Sequence, residues 1–474
     1  MRKMGGDECH HPLHIFFFPF LASGHIIPTV DMAKSFAAKG VKATIITTPL
    51  NAPLISKAIQ KSKTTIHIQT IEFPNVEDGL PKGCENMDSL PSPFLVPTFI
   101  KATRLFQEPF EQLLLQQHPN CVIADVLFPW ATDSTAKFAI PRLVFHGTSF
   151  FSLCANECIR LYNPCKNVSS DTETFIIPNL PGQIKLTRMQ MPGTDFFKFL
   201  EEVTESEVRS YGVVVNSFYE LEGVYADHYR NVIGRKAWHI GPLSLCSRND
   251  NIKQKATRGK EASIDQYECL KWLDTKKQNS VVYICFGSMP RFPGFLLREI
   301  AMGLEASGKP FIWVVREGGE EDASDELLNI EERLQGKGLI IKGWAPQVLI
   351  LEHEAIGAFV THCGWNSTLE AVVAGVPIVT WPIVAEQFYN EKLVTEVLQI
   401  GVPVGAKKWG PLEEDRVKWD EVEKALRKIM EGEEAEEIRN KAKVLSKQAM
   451  HAVEEGGSSC SDLNALIDEL GLLN

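Results

Sequence analysis

No stretch of this chain nears the ~18 consecutive apolar residues that a membrane-spanning helix needs. Its apolar N-terminal run, Ile15 to Leu21, is short and contains Pro19, so it reads as a buried first strand rather than a signal peptide. Positive charge is not in excess. With 49 basic and 60 acidic residues the net charge is −11, which argues against nucleic acid as a partner. The 11 cysteines are odd in number and lack paired spacing, so a reducing, cytoplasmic setting is expected rather than a disulfide framework. No G-x-G-x-x-G follows a strand pattern, which argues against a nicotinamide enzyme such as a sugar-nucleotide epimerase. No G-x-S-x-G elbow supports a hydrolase. No D-x-D pair is available for a metal-bound diphosphate, so phosphate charge would have to be met by N–H groups, imidazole and hydroxyls. The stretch Gly303 to Pro310 nearly fits a phosphate loop but lacks its Ser or Thr, and its first Gly lies inside a helix pattern. Cys9, His10, His11 and His14 cluster at the terminus, where a frayed tail is expected rather than a metal site.

What is present is a soluble composition, 44% hydrophobic and 23% charged, over 474 residues, too long for one ordinary core. Short apolar runs alternate with helical patterns. Strands are expected at Ile15–Phe20, Ala43–Thr47, His67–Phe73, Cys121–Asp125, Arg142–Phe145 and Val213–Asn216, with helices at Ile27–Lys39, Phe94–Gln117 and Pro129–Phe138. The second half repeats the rhythm with strands at Val281–Phe286, Phe311–Val315, Leu339–Ile341, Ala358–Thr361 and Pro377–Thr380. Such runs mark parallel sheets buried on both faces, and two sets suggest two doubly wound α/β domains. The polar text from Cys246 to Ser263 cannot bury a face and reads as a linker. The expected division is residues 1–245, linker 246–263, residues 264–455, and a last helix, 456–474, that crosses back to the first domain. The acidic stretch Glu317–Glu326 is expected to be a solvated loop, and Glu423–Met450 an amphipathic helix on the outside of the second sheet.

The most informative segment runs from Trp344 to Gln387. An apolar strand pattern ending at Thr361 breaks into His362-Cys363-Gly364-Trp365-Asn366-Ser367, and a helix pattern follows. A strand, a Gly turn and a helix N-terminus make an anion site, because unpaired N–H groups and the positive end of the helix dipole face the ligand. Here the turn also carries an imidazole, an amide and a hydroxyl. Glu370 lies eight residues after His362 and suits sugar hydroxyls; Trp344, eighteen before it, suits a base. Together these point to a nucleotide-sugar site.

Two further residues invite a chemical role. His25 precedes the first helix pattern and Asp125 ends the Cys121–Ala124 strand. Alone, each has a plainer reading, as a helix-entry residue and a capping Asp. If their strands are parallel neighbours, the two meet at the carboxyl ends, where a carboxylate fixes the tautomer of a general base. Phe286-Gly287-Ser288 ends the first strand of the second half, either as a tight turn or as a phosphate donor.

The Trp344–Gln387 segment resembles the 44-residue signature box of plant family 1 UDP-glycosyltransferases, which act on secondary products. It carries Trp344, Pro346, Gln347, His353, His362 to Ser367, Glu370, Gly375-Val376-Pro377, Pro382 and Gln387. The resemblance extends to His25, Ala124-Asp125, Phe286-Gly287-Ser288 and Glu455 to Ser459. It implies a GT-B architecture, two Rossmann-like domains facing a cleft, and an inverting transfer that needs no metal or other cofactor. It also implies that Trp344 stacks on uracil, Ala345 pairs with its edge, and Gln347 and Glu370 hold the ribose. His362, Asn366, Ser367 and Ser288 then hold the diphosphate beside Gly24 and Gly364, while Trp365, Glu386 and Gln387 contact the sugar. Gln387 implies glucose rather than galactose. His25 becomes the base and Asp125 its partner. The text around Cys121–Ser149 resembles a subgroup acting on triterpenoids, flavonoids and related phenolics. A triterpenoid is the first expectation for the acceptor and a flavonoid or isoflavonoid the second. Ser23, Met87, Leu127 and Phe150 are candidate acceptor-pocket residues, as is the stretch Met189–Phe199. Ser23, Pro290, Pro293 and Leu296 depart from the subgroup's usual residues. The expected partners are UDP-glucose and a lipophilic acceptor, with the chain acting as a monomer. A non-catalytic nucleotide-sugar-binding protein is the competing class, and it has no need of His25 or Asp125.

Overall fold

A computed structural model describes residues 12–473, apart from 61–64, 75–78, 248–251, 253, 254, 256, 257 and 317–320. In the first half, β1 (His14–Phe18), β2 (Lys42–Thr47), β3 (Ile66–Thr70), β4 (Cys121–Asp125) and β5 (Arg142–His146) are followed by a hairpin, β6 (Thr174–Ile176) with β7 (Lys185–Thr187). Then come β8 (Gly212–Val215) and β9 (Ala237–His239), which complete a parallel sheet of order β3-β2-β1-β4-β5-β8-β9. The helices here are α1 (Ser23–Ala38), α2 (Ala52–Ile59), α3 (Val96–Thr103), α4 (Gln107–Gln117), α5 (Trp130–Ala136), α6 (Phe150–Tyr162), α7 (Thr194–Val208) and α8 (Tyr219–Asn231).

The second half adds α9 (Gln266–Asp274), β10 (Val281–Ile284), α10 (Gly294–Ser307), β11 (Phe311–Val315), α11 (Glu321–Arg333), β12 (Gly338–Lys342), α12 (Gln347–Leu351), β13 (Ile356–Thr361), α13 (Trp365–Ala374), β14 (Ile378–Thr380), α14 (Gln387–Lys392) and β15 (Gly401–Pro403). Its parallel sheet has the order β12-β11-β10-β13-β14-β15. The chain closes with α15 (Trp419–Met430), α16 (Gly432–Ala452) and α17 (Ser458–Leu472).

Both sheets are buried on both faces, which is why their strands read as continuous apolar runs. In β1, Ile15 and Phe17 belong to one hydrophobic cluster and Phe16 and Phe18 to another on the opposite face. In β10, Val281 and Tyr283 face one cluster and Val282 and Ile284 the other. The last helix, α17, packs Leu463, Leu466 and Leu470 into the core of the first sheet. Asp462 there pairs with Arg230 at 2.8 Å. Among the described residues no helix is long and apolar enough to cross a membrane.

Several expectations change. The helix expected over Phe94–Gln117 is two, joined by a 3₁₀ turn at Arg104–Phe106. Pro109 has no N–H to give Leu105 and its ring crowds that carbonyl, so one continuous α-helix cannot pass. The acidic stretch is not a loop: from Glu321 it is helical, because Leu327, Ile330 and Leu334 bury one face in the second core. Residues 317–320 of it lie outside the described residues. The segment Glu423–Met450 is interrupted between α15 and α16 at Gly432, whose φ is +83°. Of the terminal cluster, Cys9, His10 and His11 lie outside the described residues, while His14 opens β1 and bonds Thr44 Oγ1 at 2.9 Å. Pro293 directly precedes α10, and Leu296 is fully buried in its first turn.

Candidate active site

In each sheet the chain winds outward in both directions from a central strand pair, and ligands bind at the carboxyl ends there. In the first sheet that pair is β1 and β4, with Phe18 opposite Ala124. The loop after β1 leads into α1 with His25 on its first turn, while Asp125 is the last residue of β4. His25 Nδ1 donates to Asp125 Oδ2 at 2.7 Å, which leaves Nε2 as the nitrogen able to accept a proton. Asp125 is fully buried, and its second oxygen accepts the Leu127 N–H at 3.0 Å. Burial works against a charged imidazole, but Asp125 first, then Glu386 and Asp88, more than offset it and hold His25 above its ordinary value.

The second sheet uses the same construction, with Ile284 of β10 opposite Val360 of β13. Ser288 follows β10 and His362 follows β13. The His362 ring is gripped by glycine: a Cβ on Gly287 would lie 2.7 Å from its Cε1, and one on Gly364 would lie 2.4 Å from its Nε2. Gly287 also has φ +77°, so a side chain there is strained as well as crowded. Burial lowers His362 to about 4, so it is a neutral imidazole near pH 7. Cys363 adopts φ +64° and turns the chain into α13. The first intrahelical bond is Thr368 N–H to Gly364 O at 3.0 Å, so the N–H groups of Trp365, Asn366 and Ser367 have no acceptor within the helix. Those three N–H groups lie beside His362 and Ser288, a set of donors that could cradle an anion.

The remaining donor-side candidates surround this cradle. Gln347 Nε2 donates to Ser367 Oγ at 3.1 Å and to Glu370 Oε2 at 2.8 Å. Ala345 is buried, and its carbonyl accepts the Gln347 N–H at 2.9 Å. The Trp344 N–H donates to Ser263 Oγ at 3.0 Å. Gln387 Oε1 receives the N–H groups of Ile383 and Val384 at 2.8 and 2.9 Å, which directs its Nε2 away from that turn. Glu386 sits at the start of α14, with burial raising its carboxyl and His25 opposing the rise. Trp365 presents its backbone rather than its indole. Its side chain is buried and its indole N–H donates to Asn216 O of the first half at 2.7 Å, so only its backbone is left for a ligand. Asn366 Nδ2 likewise donates across the cleft, to Gly24 O at 2.6 Å. The two halves are thus tied together where the loop carrying His25 meets the His362 turn.

The acceptor-side candidates divide. Met87 and Leu127 are partly buried against the core cluster that contains Phe20 and Phe128. Ser23 is buried, its Oγ has no hydrogen-bond partner, and its N–H donates to Asp88 Oδ2 at 3.2 Å. Phe150 is a correction. Its ring is fully buried against Tyr229 and His239, at centroid distances of 5.5 and 4.7 Å, so it is part of the core and not of a pocket wall. The buried Glu222 takes the Phe150 and Phe151 N–H groups at 3.0 and 2.8 Å and pins the start of α6 in that orientation. In the stretch Met189–Phe199, Met191 is buried and meets the Tyr389 hydroxyl at 3.8 Å.

Two residues at the site gave no signal in the sequence. Asp88, in a 3₁₀ turn (Met87–Ser89) of the first half, accepts from Ser288 Oγ at 3.1 Å and pairs with Lys260 at 3.2 Å. Arg258 comes from the supposed linker. It pairs with Asp31 at 3.0 Å and also with Glu370. The linker is therefore not a solvated tether where it is described: Lys255, Arg258 and Lys260 are each spent in an ion pair. A cavity of about 940 Å³ lies behind Arg258, with Ile27, Asp31, Val348 and Glu370 in its wall; His25 is not part of it.

Known proteins are similar to this chain in sequence and fold. Residues 233–451 match the family model described as UDP-glucoronosyl and UDP-glucosyl transferase. The chain is 56% identical over 469 residues to a scopoletin glucosyltransferase of Nicotiana tabacum, covering 97% of this chain and 98% of that one. It is 56% identical over 473 residues to UDP-glucose flavonoid 3-O-glucosyltransferase 7 of Fragaria ananassa, covering 97% and 96%. The crystal structure of Glycyrrhiza uralensis UGT73P12 with glycyrrhetinic acid 3-O-monoglucuronide is similar with a TM-score of 0.92 and 42% identity, covering 98% and 96%. Medicago truncatula UGT71G1 with UDP-glucose gives a TM-score of 0.79 and 26% identity, covering 97% and 98%.

Proposed function

Since the chain belongs to the plant family 1 UDP-glycosyltransferases, with their GT-B architecture, and is a glycosyltransferase, we propose that it transfers glucose from UDP-glucose to a phenolic hydroxyl. The observation that carries this reading is the His25–Asp125 couple, 2.7 Å apart, tied across the cleft to the His362 turn through Asn366 and Gly24. In the proposed reaction, His25 Nε2 takes the proton of the acceptor hydroxyl while Asp125 stabilises the imidazolium that forms. The oxygen attacks the anomeric carbon from the face opposite UDP. The C–O bond to the diphosphate breaks, and the product is a β-glucoside. Negative charge grows on the departing diphosphate, where the start of α13, neutral His362 and Ser288 offer donors. Trp344 carries the uracil, and Gln347 and Glu370 the ribose. Gln387, its amide oriented by the backbone, contacts the glucose with Glu386.

A phenolic acceptor moves ahead of the triterpenoid placed first on sequence grounds. Identity to the scopoletin and flavonoid enzymes is 56%, against 42% to the protein crystallised with a triterpenoid glucuronide. That protein's close fold keeps a triterpenoid as the second reading. The test is to incubate the protein with UDP-glucose and scopoletin, a flavonol or an oleanane triterpenoid, and to identify products by mass and NMR. A β-glucoside of the phenolics supports the proposal. UDP binding without transfer to any acceptor would favour a binding protein instead.

A further inference from the structure

We propose that Arg258 is an internal competitor of the donor's ribose: it fills the Glu370 carboxylate when no nucleotide is bound and must release it for UDP to seat. The inference rests on the reading above in which Glu370 holds the ribose. Glu370 is buried, and both of its oxygens are occupied. Oε2 accepts from Gln347 at 2.8 Å, and Oε1 accepts from Arg258 Nη1. Of the roughly four lone-pair sites of this carboxylate, Gln347 and Arg258 take one on each oxygen, so a ribose diol competes with them for the acceptor. The same strap reaches the base platform. Gly259 has φ +92°, and a Cβ there would lie 2.5 Å from the Trp344 ring and 3.0 Å from Ile27 Cδ1, so this backbone lies directly against the indole. Lys260 then crosses to Asp88, and Lys255 is anchored to Glu352 at 2.8 Å.

Arg258 also has a second anchor, so its release is local. Its Nε and Nη2 both lie 3.0 Å from Asp31 Oδ2, on α1. Bound to Asp31 alone, the guanidinium stays paired while Glu370 turns to the nucleotide. Two arrangements therefore exist, one bridging Asp31 and Glu370 and one holding Asp31 only. The fraction of closed strap reduces the apparent affinity for UDP, and its return helps to expel the product.

Three nucleotide titrations test this by calorimetry, using the full chain as wild type, Arg258→Ala and Glu370→Ala, each checked for folding by circular dichroism. Arg258→Ala should bind UDP about three- to tenfold more tightly. Its affinity for 2′,3′-dideoxy-UDP, which has no diol to compete for Glu370, should be unchanged. Glu370→Ala should bind UDP more weakly than wild type. Equal or weaker UDP binding by Arg258→Ala, or an equal gain for the dideoxy analogue, overturns the competitor role. Unchanged UDP affinity in Glu370→Ala instead overturns the ribose reading beneath it. Should Arg258→Ala fail to fold, Arg258→Gln, which keeps most of the side chain's volume but not its charge, serves as the second variant: tighter UDP binding with an unchanged dideoxy analogue supports the proposal, and equal or weaker UDP binding overturns it.

Discussion

Replacing Asp125 by Asn changes almost no volume, yet the structure predicts a large and specific defect. Asp125 Oδ2 receives the His25 Nδ1 proton at 2.7 Å, and Oδ1 receives the Leu127 N–H at 3.0 Å. An Asn keeps its oxygen on Leu127 and turns its NH₂ toward His25. The imidazole must then accept at Nδ1 and carry its proton on Nε2, the nitrogen that should be empty to act as base. The charge term is also lost. Two unit charges ~4 Å apart at an effective dielectric of ~20 attract by ~4 kcal/mol. As that attraction grows only when His25 becomes charged, its loss is worth about 10³ in rate. Initial rates of glucosyl transfer to scopoletin, measured from pH 5 to 9, provide the assay. In the wild type His25 lies above its ordinary value, so kcat/KM should rise with pH as the imidazolium loses its proton. In Asp125→Asn that rise should move to lower pH and the plateau fall by about 10²–10⁴. UDP affinity should not change, because the nucleotide half is untouched. A variant within threefold of wild-type rate would refute the reasoning, as would a loss confined to UDP binding.

Other perturbations separate the donor half from the fold. Gly364→Ala has an ordinary backbone angle, φ −58°, but its Cβ would meet His362 Nε2 at 2.4 Å. It should weaken UDP binding by about 1.5–3 kcal/mol, the worth of a hydrogen bond to a charged group, without lowering the unfolding midpoint in urea. Burial opposes a charged Glu207, yet His146, Arg235 and Tyr229 hold its carboxyl down to about 2. Its contribution to stability is therefore present above the ordinary value of 4.5 and lost as pH falls toward 2. Glu207→Gln leaves Arg235 and His146 without that charge and should cost about 3–5 kcal/mol in urea unfolding at pH 7, with a flatter acid limb. Trp365→Phe removes the indole bond to Asn216 O and should cost ~1–3 kcal/mol by the same measurement.

The strands that position the site were legible because burial on both faces writes them as unbroken apolar runs. Cys121–Asp125 and Phe311–Val315 have the limits expected from the sequence. The edge strands Ala237–His239 and Gly401–Pro403 were missed, since three residues carry too little pattern to separate from a loop. The cradle was legible for a related reason. A strand, a glycine turn and a helix start are contiguous in the chain, so Gly287, His362 and Gly364 stood out before their packing was known.

What the sequence determined by itself, then, is the local arrangement: the glycine turn into a helix start, the imidazole at the first loop, the carboxylate at a strand end. That His25 and Asp125 touch was decided by the tertiary structure, because only the order of strands makes β1 and β4 neighbours. Phe150 was placed in the core by Tyr229, His239 and the Glu222 carboxylate, none of them near it in sequence. Arg258 is the clearest case. In sequence it is one cation in a polar stretch, and such a stretch reads as solvated. Its partners, Asp31 and Glu370, stand 227 and 112 residues away, on opposite halves of the molecule. A charge reveals its purpose only through the charges folded against it, and those distances are set by the closing of two domains rather than by any local pattern.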